Sequence, residues 1–302
     1  MTPDRPAARL ALLALIPAVL AGCLDVAVPS ASPTLAPTAE PTAPTITYAP
    51  GTTVWYEGLL ITVQAVSATL DKRGGPVIVV LRLENPGADD AELDARVLLQ
   101  VDADTAATPL APTRDSKIPT VPAGGTAEAA LTYELQGVAS VDRGVVLIGE
   151  LPLHVARVPL TVVGGEAETL QPIELALSGV GTAGDLRIAT RGAVLRWDLP
   201  DWSEELSAEL AVLTLTYDVT YLGDFSGGFA FTGDNVALRL PGNTLVESRH
   251  DGHSQSIELI GAGKTKKGLS SRFELPSGMT GRFALVLRNG SASRALTFLL
   301  GD

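Results

Sequence analysis

Chemistry-bearing side chains are sparse in this chain, and their densest gathering is Trp197-Asp198-Leu199-Pro200-Asp201-Trp202-Ser203-Glu204-Glu205. Indoles beside carboxylates suit stacking on sugar rings or on cationic groups. The residues that would carry such binding are Trp197, Asp198, Asp201, Trp202, Glu204 and Glu205. The same segment also fits a plainer use, with one indole capping a core and the acids in water. Paired carboxylates can act as acid and base on a glycosidic bond, but only when their environments push their pKa values apart. Acids crowded on one loop offer no means of separation. No catalytic residue is expected, and the chain does not read as an enzyme.

His250-Asp251-Gly252-His253 places two imidazoles and a carboxylate in one loop, a start on a zinc or copper site. Further ligands would have to come from elsewhere, and Asp-Gly makes a hairpin turn unaided. His250 and His253 are therefore weak metal candidates, and no metal or other cofactor is expected. Gly261-Ala262-Gly263-Lys264-Thr265 imitates the end of a phosphate loop. Glu258 stands where such a loop needs its first glycine, and the residues that follow read as a strand rather than the required helix. Asp224, Asp234 and Asn235 could supply oxygen ligands to calcium, although glycine-rich strand ends explain them equally well. His154 reads as a surface or edge residue.

The elements that would position these groups are strands. Leu59–Val66, Val77–Leu83, Arg96–Val101, Ala127–Leu135, Val145–Ile148 and Val155–Val163 alternate or run apolar. Turn signals such as Arg73-Gly74-Gly75-Pro76 and Asn85-Pro86-Gly87 separate them, the pattern of a sandwich or barrel. The second half echoes the first. Ala123-Gly124-Gly125-Thr126 returns as Ala262-Gly263-Lys264-Thr265, Tyr133-Glu134-Leu135 as Phe273-Glu274-Leu275, and Arg157–Thr161 as Arg294–Thr297. Val79–Asn85 is similarly matched to Val212–Asp218. A period of about 140 residues indicates a duplicated domain rather than a solenoid. The expectation is an all-β chain with two tandem immunoglobulin-like β-sandwiches, at 52–165 and 180–302.

The formal net charge of −12 argues against a nucleic-acid partner, which needs clustered Lys and Arg. Lys264, Lys266 and Lys267 are too few to reverse this. The only cysteine is Cys23, so no intramolecular disulfide can form. Arg5 and Arg9 precede the apolar run Leu10–Leu20, which is too short to span a hydrocarbon core needing about 20 residues. It reads as a signal peptide. Leu20-Ala21-Gly22-Cys23 resembles the lipobox of bacterial lipoproteins, which implies cleavage after residue 22 and lipidation of Cys23. Val26–Pro50 is rich in Pro, Thr, Ser and Ala, and 23–50 reads as a disordered, extended stalk.

The layout is similar to the extracellular immunoglobulin-like domains of the DUF4352 and MPT63-like group. The resemblance rests on the amphipathic strand Leu59–Val66, the strand ending at Asn85, and the segment Pro122–Leu135. It implies the fold and an extracytoplasmic location, and carries no reaction. Together these readings predict a membrane-anchored module of the cell envelope that acts without catalysis on an envelope protein or extracellular ligand. The alternative is a ligand- or metal-binding lipoprotein that serves a transporter.

Overall fold

Alternation of apolar and polar residues dictates most of the strands. In a computed structural model that describes residues 43–104, 108–198, 206–249 and 257–301, every regular element apart from two 3-10 turns is a β-strand. The first half contains β1 (Thr45–Tyr48), β2 (Thr52–Tyr56), β3 (Leu59–Thr69), β4 (Gly74–Glu84), β5 (Val97–Gln100), β6 (Thr126–Gln136), β7 (Val145–Ile148) and β8 (Ala156–Pro159). One antiparallel sheet has the order β1-β3-β4-β6 with β2 also on β3, and the other has the order β5-β7-β8. Val77, Val79, Leu81 and Leu83 of β4 and Leu131, Tyr133 and Leu135 of β6 point inward at every second position. Facing side chains from the two sheets close one core.

The second half contains β9 (Ile173–Leu175), β10 (Gly179–Ala183), β11 (Leu186–Arg196), β12 (Leu210–Tyr221), β13 (Phe229–Thr232), β14 (Val236–Arg239), β15 (Leu245–Glu247), β16 (Ile257–Ile260), β17 (Thr265–Pro276), β18 (Gly281–Asn289) and β19 (Ala292–Leu300). Its sheets run β10-β11-β12-β17 with β9 also on β11, β15-β14-β18-β19, and the pair β13-β16. A separate cluster built around Tyr217, Phe231, Phe273 and Phe283 forms its core. The architecture is that of β-sandwiches, as the alternation predicts.

The internal echo extends to register. A bulge interrupts β3 between Val63 and Ala65 as it pairs with β4, and β11 between Thr190 and Gly192 as it pairs with β12. In both halves the interruption follows the fifth residue of the strand. The extra residues are Gln64 and Arg191. Three sequence-based boundaries shift. Val79 has its counterpart at Leu215 rather than Val212, because Leu81 and Tyr217 occupy the equivalent positions beside these bulges. Asp218 therefore lies inside β12 and ends no strand. The proposed strand 155–163 stops at Pro159, and Thr161 caps the 3-10 turn Val162–Gly164. The stretch assigned to a stalk ends earlier than Pro50. Thr45–Tyr48 pairs with β3, and Tyr48 donates its hydroxyl to Asp142 at 2.6 Å.

Candidate functional site

The two sandwiches meet through polar contacts, and the distinctive tryptophan-acid segment begins there. Trp197 and Asp198 follow directly on β11. Trp197 is half-buried against the second core. The side chain of Asp198 is only 2% exposed. Its Oδ2 accepts the indole N–H of Trp55 at 2.7 Å and the backbone N–H of Gly58 at 3.1 Å, while Oδ1 accepts Arg196 Nε at 3.3 Å. The β2–β3 turn makes this possible. Glu57 and Gly58 both take left-handed conformations (φ 47° and 83°), the tight two-residue hairpin that suits strand twist. A buried carboxylate needs that many donors, since a bare one would be very costly.

A second seam runs alongside. Leu153 bridges to Ser207, and Ala208 donates its N–H to Pro152 O at 2.8 Å. His154, expected at the surface, is 8% exposed and donates Nε2–H to Leu210 O at 2.6 Å. Tyr56 in turn donates its hydroxyl to His154 O at 3.0 Å. His154 is thus a junction residue that sequence reasoning missed. The signal was its place in Leu153-His154-Val155-Ala156, a histidine inside an apolar run near the end of the first repeat.

Between these seams lies a cleft of about 430 Å³. Leu153, Val155, Leu170 and Trp197 give it apolar walls, and His154, Arg157, Glu168, Thr169 and Ser277 give it polar ones. Arg157 and Glu168 lie 3.6 Å apart as an ion pair and also exchange backbone hydrogen bonds. Of the predicted segment, the structure brings Trp197 to this cleft and commits Asp198 to the junction. Asp201, Trp202, Glu204 and Glu205 lie outside the described residues, as do Cys23, His250 and His253.

The phosphate-loop mimic and Asn235 have structural uses. Gly261–Thr265 is a tight turn (Gly263 φ 67°) that enters strand β17, so nothing there cradles a phosphate on a helix. Asn235 accepts the N–H of Thr232 at 2.8 Å and donates to Arg288 O at 3.1 Å. No group of three potential metal ligands occurs among the described residues. Asp218 and Arg191 form the clearest charged pair. Asp218, almost wholly buried, accepts both Arg191 and the N–H of Gly268 at 3.0 Å. The Arg191 hydrogen bonds hold its carboxyl below the usual carboxylate range.

No family model matches the chain, and no curated protein matches it. The crystal structure of a conserved domain protein from Bacillus anthracis aligns with 83% of this chain and 88% of its own, at 11% identity and a TM-score of 0.22. A superposition that loose supports no conclusion about fold or function.

Proposed function

We propose that this protein is a lipid-anchored, extracytoplasmic module of the cell envelope that binds without catalysing a reaction. The observation that carries this reading is the sequence Leu20-Ala21-Gly22-Cys23 behind a short basic and apolar leader, followed by a proline-rich spacer. More than one acyl chain on Cys23 would anchor the chain stably where a single one would bind only marginally. Support for a scaffold role comes from the polar interior. Asn85, His154, Asp198, Asp218, Ser248 and Ser271 are buried, and each is hydrogen-bonded within the protein. Groups engaged this way hold strands, turns and the junction in place. The test is detergent phase partitioning of Cys23→Ala. The substitution moves the protein from the detergent phase to the aqueous phase, and equal retention of the variant overturns the reading.

A second reading, ligand delivery to a transporter, draws on the cleft at the junction. Such a role needs a small-molecule site, and the cleft falls within the size range of ligand pockets, about 300–1,000 Å³.

A further inference from the structure

We infer that the junction cleft is a subsite for one neutral, hydroxyl-rich ring, as found in a sugar. The inference deepens the binding role proposed above but does not depend on the lipid anchor.

Three features of the cleft select this class. The first is charge. Arg157 and Glu168 face the same space and neutralise each other at 3.6 Å. A cationic ligand would meet the guanidinium and an anionic one the carboxylate, so a neutral ligand loses least. The second is hydrogen-bonding type. His154 is more than nine-tenths buried and spends Nε2–H on Leu210 O, which in the neutral ring leaves Nδ1 as an acceptor. Nδ1 has no hydrogen-bond partner among the described residues. That nitrogen is not among the sealed, unpaired polar atoms of the protein, so it stands open to accept a donor from a ligand in the cleft. Glu168 offers further acceptors, while Arg157, Thr169 and Ser277 offer donors. A ring bearing several hydroxyls, each both donor and acceptor, matches such a mixed lining. An aliphatic ligand would strand these groups.

The third feature is the indole. Trp197 packs against the second core and also lines the cleft, so it is an aromatic surface braced in place. The C–H faces of a sugar ring stack on such a surface, and a braced aromatic loses little conformational freedom on binding. The walls come from both sandwiches. Leu151 to Arg157 belong to the first and Trp197, Ala208 and Ser277 to the second. The Asp198 junction therefore sets the width of the cleft.

The experiment uses the full chain in lipid nanodiscs free of glycolipid, with the tryptophan indole nitrogens labelled with ¹⁵N. The probes are methyl β-D-glucopyranoside, methyl α-D-mannopyranoside and methyl β-D-galactopyranoside. At least one of them shifts the Trp197 indole resonance saturably. Trp197→Ala weakens that binding by roughly tenfold, the scale of a truncated aromatic anchor. Glu168→Gln and Ser277→Ala, which alter only the cleft walls, weaken it by roughly threefold or more and test the site even if the tryptophan variant fails to fold. The proposal is overturned if no glycoside moves the Trp197 resonance. It is also overturned if both wall variants bind as the parent does, or if tetramethylammonium moves the resonance in place of the sugars. The readout works whether or not the chain enters the discs, so a failed anchor and a failed subsite give different results.

Discussion

The indole N–H of Trp55 reaches the buried carboxylate of Asp198 at 2.7 Å, joining residues 143 positions apart in the chain and fastening one sandwich to the other. The same carboxylate oxygen also accepts Gly58 N–H, so one acid ties down both the turn and the strand that the first half presents. Asp198→Ala would leave the Trp55 and Gly58 donors and the Arg196 charge without their partner. The expected cost is about 3 kcal/mol, measured by urea denaturation. Asp198→Asn costs less, because the amide oxygen still accepts. Hydrogen exchange should quicken at Gly58 in either variant while β4 and β12 stay protected. Uniform protection loss across both cores would contradict a local fastening.

Gly149 is a second constraint on the junction. It sits at φ 101°, and a Cβ there would lie 2.4 Å from His154 O and 2.5 Å from Tyr56 Oη. Neither neighbour can retreat, since Tyr56 Oη is hydrogen-bonded to that same carbonyl. Gly149→Ala should cost about 3 kcal/mol or more through strain and overpacking. A thermal melt that differs little from the parent would show the backbone there to be adaptable.

Acid should test Asp218. Its folded pKa lies below its unfolded value, near 3.9, chiefly because Arg191 hydrogen-bonds it. The stability it contributes is present above the unfolded pKa and is lost as pH falls through the folded one. Arg191→Gln should therefore raise the Asp218 pKa in a ¹³C-carboxyl NMR titration and move the acid-unfolding midpoint upward. An unchanged titration would remove Arg191 as the cause.

Alkali should test Tyr48, which is pushed up to about 12, first by burial and then by its hydrogen bond to Asp142. A raised folded pKa contributes stability that is complete below the unfolded value, about 10, and is lost as pH rises through the folded one. Burial also raises Tyr133 and Tyr217. Stability should decline above about pH 10, and Tyr48→Phe should shallow that decline. Identical alkaline profiles for parent and variant would show that β1 is not held through this phenol.

Where one face of a strand is buried, period-two alternation dictates the answer, and β3, β4, β6 and β7 stand close to where the sequence places them. β1 was hidden because Thr45-Ile46-Thr47-Tyr48 is short, adjoins a proline-rich run and is largely exposed, so its pairing with β3 left no burial pattern. β9 and β10 escaped similarly. Gly179-Val180-Gly181-Thr182-Ala183 is short, with glycine at its first and third positions, yet its register on β11 copies that of β2 on β3. Any fragment meant to hold the second sandwich must therefore begin before Ile173. The site was legible only in part. Trp197 and Asp198 stood out by composition, but Trp55 and Gly58, which bind Asp198, and His154, which shares the cleft with Trp197, come from distant parts of the chain that no local pattern encodes.

Intact-mass spectrometry of the chain purified from bacterial membranes reads the lipid anchor itself. A lipid-anchored module appears as a polypeptide that begins at Cys23 and carries acyl groups on it, with that mass increment absent from Cys23→Ala. A chain with a free Cys23 thiol, or one that retains the residues before it, would contradict lipid anchoring.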